Sequence, residues 1–271
     1  LRNSKCRRGA ARARAALAAL VILTALAASC GGPYTPKRVN VASDKLAFAD
    51  QLFAKGSYGH AAIEYKDFLA TFAGDERSDY AQFRLAESYR LDKEYALAQV
   101  EYQILMNDYG YSEYVDDASF LVGLCAFRQA PRAERDQTKT YEALDRLNRF
   151  LQTFPTSPRV SEARAALRQV HERLGKKDFL SAKLYFSRKR YDAALIYLAK
   201  IIDLDPDTVW AKRSLYYRAR IEEGRSDLAA AAADYRTALS TSAAFPERGD
   251  AARRLKLVEG SAGGAPTQDG R

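Results

Sequence analysis

The residue types that carry chemistry are sparse in this chain and poorly placed for catalysis. Its two histidines, His60 and His171, stand far apart, and neither has the set of neighbours a zinc site needs. Both are expected on helix surfaces. No GxGxxG or P-loop pattern occurs, Gly123 and Gly175 stand alone, and the adjacent acids Asp116-Asp117 and Glu222-Glu223 read as solvated helix faces. An enzyme needs an activated nucleophile, a metal cluster, paired carboxylates in a pocket or a phosphate-cradling loop, and the sequence offers none of these. No catalytic residue, metal site or cofactor is therefore expected.

The cysteines are more informative. Residues 1–14 carry Arg2, Lys5, Arg7, Arg8, Arg12 and Arg14 without an acid, and the apolar run AALAALVILTALAA follows from Ala15 to Ala28. That run suits the core of a signal peptide and is short for a membrane span. It ends in Ala27-Ala28-Ser29-Cys30-Gly31, which resembles the lipobox of bacterial lipoproteins, although Leu26 lies four residues before the cysteine where three is usual. The resemblance implies cleavage before Cys30 and acylation of its sulfur and new amino group, a covalent lipid that would hold the chain on a membrane. Cys6 is lost with the signal, so Cys125 has no partner; within FLVGLCAF it reads as a small buried hydrophobe.

The formal charge of +9 invites a nucleic-acid partner, but six of the basic residues precede Cys30 and the remainder carries only +3. Nucleic acid is not expected.

The elements that organise the chain are repeats. GSYGHAAIEYKDFL (Gly56 to Leu69) returns as KEYALAQVEYQILM, EALDRLNRFLQTFP, KRYDAALIYLAKII and SDLAAAAADYRTAL. Small residues Ala61, Ala98, Ala143, Ala194 and Ala231 are each followed four residues later by Tyr65, Tyr102, Leu147, Leu198 and Tyr235. Twelve residues before four of these anchors stand Ala49, Ala86, Ala182 and Ala219. Small side chains let paired helices approach and the large one fills the seam to the next pair, which is the tetratricopeptide (TPR) pattern. The spacing predicts an all-α, right-handed superhelical array of about five helix pairs, near residues 43–75, 79–112, 116–156, 158–207 and 210–245 of an array spanning 43–259. A polar insertion, Arg128 to Thr140, is expected as a surface loop in the third pair, and Val160 to Arg190 as a long helix with a bend at Gly175. Residues 30–42 read as a lipidated tether and 260–271 as an unstructured tail.

First helices of such an array line a concave groove. The groove-facing candidates are Leu46, Asp50 and Phe53 in the first pair and Tyr80, Phe83, Glu87 and Arg90 in the second. Aromatics with one base and two acids suit an extended peptide with apolar side chains.

The order of features resembles the BamD (also ComL or YfiO) family of outer-membrane assembly lipoproteins. The stretches that carry it are YGHAAIEYKDFLATF, DYAQFRLAESYRLDKEYALAQVEYQILM, YVDDASFLVGLC, YEALDRLNRFLQTFPTS and AKLYFSRKRYDAALIYLAKIIDLDPDT, spread over Ser43 to Leu257. The resemblance implies a non-enzymatic scaffold on the periplasmic face of the outer membrane, part of the β-barrel assembly machinery. Its implied partners are the periplasmic domains of the barrel insertase (BamA-like), unfolded outer-membrane proteins and other assembly-machine lipoproteins. Gly31, rather than Asp, after the lipidated cysteine fits outer-membrane sorting. The alternative is a TPR lipoprotein adaptor for peptidoglycan or Tol-Pal envelope machinery.

Overall fold

The computed structural model describes residues 34–240 and 244–262. The signal segment, Cys30 and the end of the chain beyond residue 262 lie outside the described residues. Within them the fold is all-helical. Five pairs of helices follow one another: α1 (Ala42–Ala54) with α2 (Tyr58–Thr71), α3 (Ser78–Leu91) with α4 (Tyr95–Asp108), α5 (Val115–Gln129) with α6 (Thr138–Thr153), α7 (Val160–Ser187) with α8 (Tyr191–Leu204), and α9 (Val209–Gly224) with α10 (Leu228–Leu239). A further helix, α11 (Arg248–Ala262), closes the stack against α10.

The small-then-large pattern builds this stack. Ala61, Ala98, Ala143, Ala194 and Ala231 are fully buried, as are Tyr65, Tyr102, Leu147 and Tyr235, with Leu198 almost so. Ala49, Ala86, Ala182 and Ala219 are buried on the facing helices, so each of these pairs closes alanine against alanine.

Four of the two-helix turns repeat one device. Gly56, Lys93, Lys189 and Ser226 stand five residues before their alanine anchors, and all four take the left-handed conformation, with φ of 74°, 67°, 55° and 62°. The next N–H in each case bonds back five residues: Ser57 to Leu52, Glu94 to Tyr89, Arg190 to Tyr185 and Asp227 to Glu222, at 2.9 to 3.0 Å. This is a Schellman cap, which satisfies carbonyls at the end of the first helix while turning the chain into the second. The third pair lacks it because the insertion occupies that place. There the loop is itself folded: Gln137 is buried and donates to the carbonyls of Arg132 and Arg135.

Serine and aspartate join one pair to the next. Ser112 Oγ donates to Asp79 at 2.6 Å, and Ser157 Oγ donates to Asp116 at 2.7 Å in the equivalent place. Arg159 reaches Asp117 at 2.6 Å. Asp116-Asp117 is therefore a seam between repeats and not a free polar face. Glu223 departs from expectation in the same way, accepting from Tyr235 at 3.0 Å and from Arg254 at 3.0 Å.

Helix α7 runs unbroken for 28 residues, about 42 Å at 1.5 Å per residue. Gly175 is not a break in it; a Cβ there would stand 3.1 Å from Trp210 Cβ, so the glycine admits the tryptophan of α9. Leu174 and the residues before it pack with α5 and α6, whereas Phe179 and Ala182 pack with α8 and α9.

The two ends differ from the sequence expectation. Residues 34–41 have no regular secondary structure, yet they are strapped to the first pair. The Tyr34 hydroxyl and the Lys37 N–H both donate to Glu64, which is buried with Lys45 as an ion pair; Lys45 also reaches Asp67 at 2.5 Å. Tyr34 stacks on the exposed ring of His60, with centroids 4.1 Å apart. At the other end α11 continues through Gly260 to Ala262, into the segment whose composition predicts an unstructured tail. Ala251 and Val258 are buried on α10, and a helix already nucleated by that packing extends its last turn at little cost. His171 also differs: it is half-buried, with Nδ1 3.0 Å from Asp205 in the turn after α8.

Candidate functional site

Six of the seven groove candidates are at least partly exposed, and Leu46 is not. Only 6 % of it is accessible, and it packs in the first core with Ala49, Tyr65 and Leu85, so it belongs to the helix seam. The cause is its position three residues before Ala49, on the face that α1 turns toward α2.

The remaining candidates divide into two groups. Asp50, Phe53, Tyr80 and Phe83 come together with two residues that the spacing did not single out, Arg84 and Tyr114. The Arg84 guanidinium lies 3.5 Å from the centre of the Phe53 ring and 5.8 Å from that of Tyr80. Tyr80 is 6.2 Å from Tyr114, which stacks on Phe83 at 4.8 Å and 16°. The result is a half-buried ladder running from α1 across α3 to the start of α5, with a cation inserted between its first two rings. Arg84 follows Tyr80 by four residues and so shares its face, a signal present in the sequence. Tyr114 precedes its helix, where helical spacing gives no information.

Asp50 anchors the ladder from below. It accepts the Tyr65 hydroxyl at 2.5 Å and the Tyr80 hydroxyl at 2.9 Å, and Arg84 Nε stands 3.9 Å away. Burial, reinforced by the hydrogen bond to Asp50, pushes the Tyr80 phenol up to about 12 and Tyr65 higher still. Both hydroxyls are fixed donors at neutral pH. A nucleophile or general base would need the opposite shift.

Glu87 and Arg90 are occupied with each other. Arg90 donates twice to Glu87, at 2.6 and 2.7 Å, and Tyr102 adds its hydroxyl to the same carboxylate. Burial disfavours the Glu87 charge, but these donors outweigh it and hold the carboxyl below its ordinary range. Arg90 also lines a cleft of about 310 Å³ with Tyr95, Leu124 and Cys125. Cys125 is buried and free, and burial pushes its thiol up to about 12, so it is a packed hydrophobe without thiolate character.

Among the described residues no group of three or more histidines, cysteines and carboxylates could hold a metal ion, and no helix is long and apolar enough to cross a membrane. What the ladder provides is a half-buried, amphipathic set of rings with one cation and the tethered Tyr80 hydroxyl.

The model of the YfiO family, described as an outer membrane lipoprotein, matches residues 42–238. The chain belongs to that family. The YfiO match spans all five helix pairs and stops before α11. No curated protein matches the chain. Among solved structures, the TPR2AB domain of yeast Sti1 in its complex with pHSP90 is 14 % identical, with 82 % of this chain and 84 % of that one covered and a TM-score of 0.44. TTC0263, a thermophilic TPR protein of Thermus thermophilus, is 19 % identical over 81 % of this chain and 99 % of its own, with a TM-score of 0.35. A putative protein binding protein from Bacteroides ovatus is 12 % identical over 82 % and 99 %, with a TM-score of 0.37.

Proposed function

We propose that this YfiO-family protein is a lipid-anchored, non-enzymatic scaffold of the outer-membrane β-barrel assembly machinery. It works on the periplasmic face, where it binds the barrel insertase and receives segments of unfolded outer-membrane proteins. The observation that carries the substrate-binding part is the ladder Phe53, Arg84, Tyr80, Tyr114 and Phe83 on the first helices of the first two repeats and the approach to the third. Its Tyr80 ring is held at the surface by a hydrogen bond to Asp50, and its neighbours stack against one another, so little side-chain entropy is lost when a peptide lies across them. Membership of an outer membrane lipoprotein family and the Ala-Ala-Ser-Cys sequence support the anchor on Cys30.

The test is a crosslinking pull-down of the anchored protein from its own cells beside a Cys30→Ala control. Recovery of a large barrel protein with periplasmic repeat domains, lost in the control, supports the proposal. Recovery of peptidoglycan enzymes or Tol-Pal components in its place overturns it.

A further inference from the structure

A concave site distinct from the ladder lies where the insertion loop, α7 and the start of α9 form a cleft of about 740 Å³. Its lining holds four cations, Arg132, Arg168, Arg173 and Lys176, against one acid, Glu172, whose carboxylate already accepts the Val209 N–H at 3.2 Å. Two of the cations are structural. Arg173 donates to the carbonyls of Ala130 and Pro131, at 2.8 and 3.3 Å, with its guanidinium 4.4 Å from the Phe127 ring, and so pins the insertion loop over α7. Lys176 pairs with Glu134 of that loop at 2.9 Å. The other two line the cleft without such a role, and neither Arg132 nor Arg168 has a carboxylate within ion-pairing distance among the described residues. Trp210 lines the cleft as well, admitted there by Gly175.

We propose that this cleft is a second protein-binding site, which takes an extended acidic segment of a partner polypeptide carrying a large apolar or aromatic side chain. The charges are distributed and do not converge: Arg168 and Lys176 stand two turns apart on α7, about 12 Å along its axis. That is too far for a single phosphate, and it matches about four residues of extended chain at ~3.3 Å each. Trp210, which is only partly buried, gives the partner's apolar side chain a ring surface in the same cleft. Arg168, and Arg132, which meets Glu134 only through a longer-range attraction, steer and orient the acidic segment. This inference rests on the array being a protein-binding scaffold and not on which assembly it serves. A pull-down that replaced the barrel insertase with another partner would leave it standing.

Trp210 is the only tryptophan in the chain, so its emission reports the cleft directly. The experiment titrates the full, detergent-extracted protein with a short synthetic peptide of aspartates and glutamates around one phenylalanine. The controls are the same peptide in asparagine and glutamine form, inorganic phosphate, and phosphatidylglycerol vesicles. The expected result is a saturable change in emission with the acidic peptide alone. Its affinity should fall roughly tenfold in Arg168→Glu and in Arg132→Glu, and weaken with added salt. Neither position carries a side-chain bond that holds the fold, and an unchanged far-ultraviolet spectrum verifies the fold of each variant. Equal binding of the amide peptide, unchanged affinity in both variants, or a response to phosphate or vesicles but not to peptide overturns the proposal.

Discussion

The Tyr65 hydroxyl donates to Asp50 across 2.5 Å, joining the fully buried anchor of the first repeat to the carboxylate beneath its half-buried aromatic ladder. The second repeat does the same with Tyr102 and Glu87, again fifteen residues apart. Tyrosine in place of leucine at the anchor thus lets a core residue position a surface acid.

Tyr65→Phe is expected to lower stability by about 1.5 kcal/mol, because Asp50 loses one of two phenol donors to a charged acceptor. Tyr80→Phe, at a half-buried site, should cost less. Urea unfolding of the two variants measures both, and equal losses would mean that the buried hydroxyl has no special weight.

The left-handed turns offer gains. Lys93→Gly and Lys189→Gly should each raise stability by about 0.5–1 kcal/mol, since glycine takes a positive φ without the side-chain clash that lysine suffers there. Gly56→Ala should lower it by a similar amount. Thermal melting of the three variants tests the sign.

Gly123 is a different case, because its place is set by packing. A Cβ at this position of α5 would stand 2.9 Å from Leu147 Cγ in the fully buried seam of the third repeat. Gly123→Ala should therefore destabilise by about 1–3 kcal/mol. Gly224, with nothing within 4 Å of its added Cβ, should accept alanine with a small gain. Calorimetry of the pair checks the contrast.

Acid should loosen the closing helix early. Asp250 accepts from Tyr216 at 2.6 Å and from Arg254 at 2.7 Å, and these donors hold its carboxyl down to about 2. A folded value below the unfolded one of ~3.9 means that the contribution is complete above that value. It is lost as the pH falls from about 4 to about 2. The protection of α11 against hydrogen exchange, taken relative to the intrinsic rate at each pH, should fall over that window in the parent protein, whereas Asp250→Asn should already be less protected at neutral pH and lose little further protection on acidification.

Much of the fold is legible in the sequence, for a physical reason: the buried seams use residue size at fixed helical spacing, and Ala61 with Tyr65 or Ala98 with Tyr102 expose that rule directly. Leu46 escapes it because helical spacing gives a residue's angle but not which neighbour covers it. Asp116, Asp117 and Glu223 look solvated because their partners, Ser157, Arg159 and Arg254, come from the next repeat or from α11, beyond the range of local pattern. Arg84 shares a face with Tyr80 and is available to spacing. Tyr114, before the first turn of α5, and the strap at Tyr34 are not, since neither lies in a periodic segment.

The continuity of α7 gives the array a mechanical character that separate repeats would lack. Leu174 and Phe179 sit on one unbroken rod yet serve two different cores. In a stack of independent units each joint is a hinge that can flex or melt alone. Here the third and fourth repeats share a backbone. A twist imposed by a partner on the C-terminal repeats must pass along that rod, and it arrives at the wall of the cleft that Arg168 and Trp210 define.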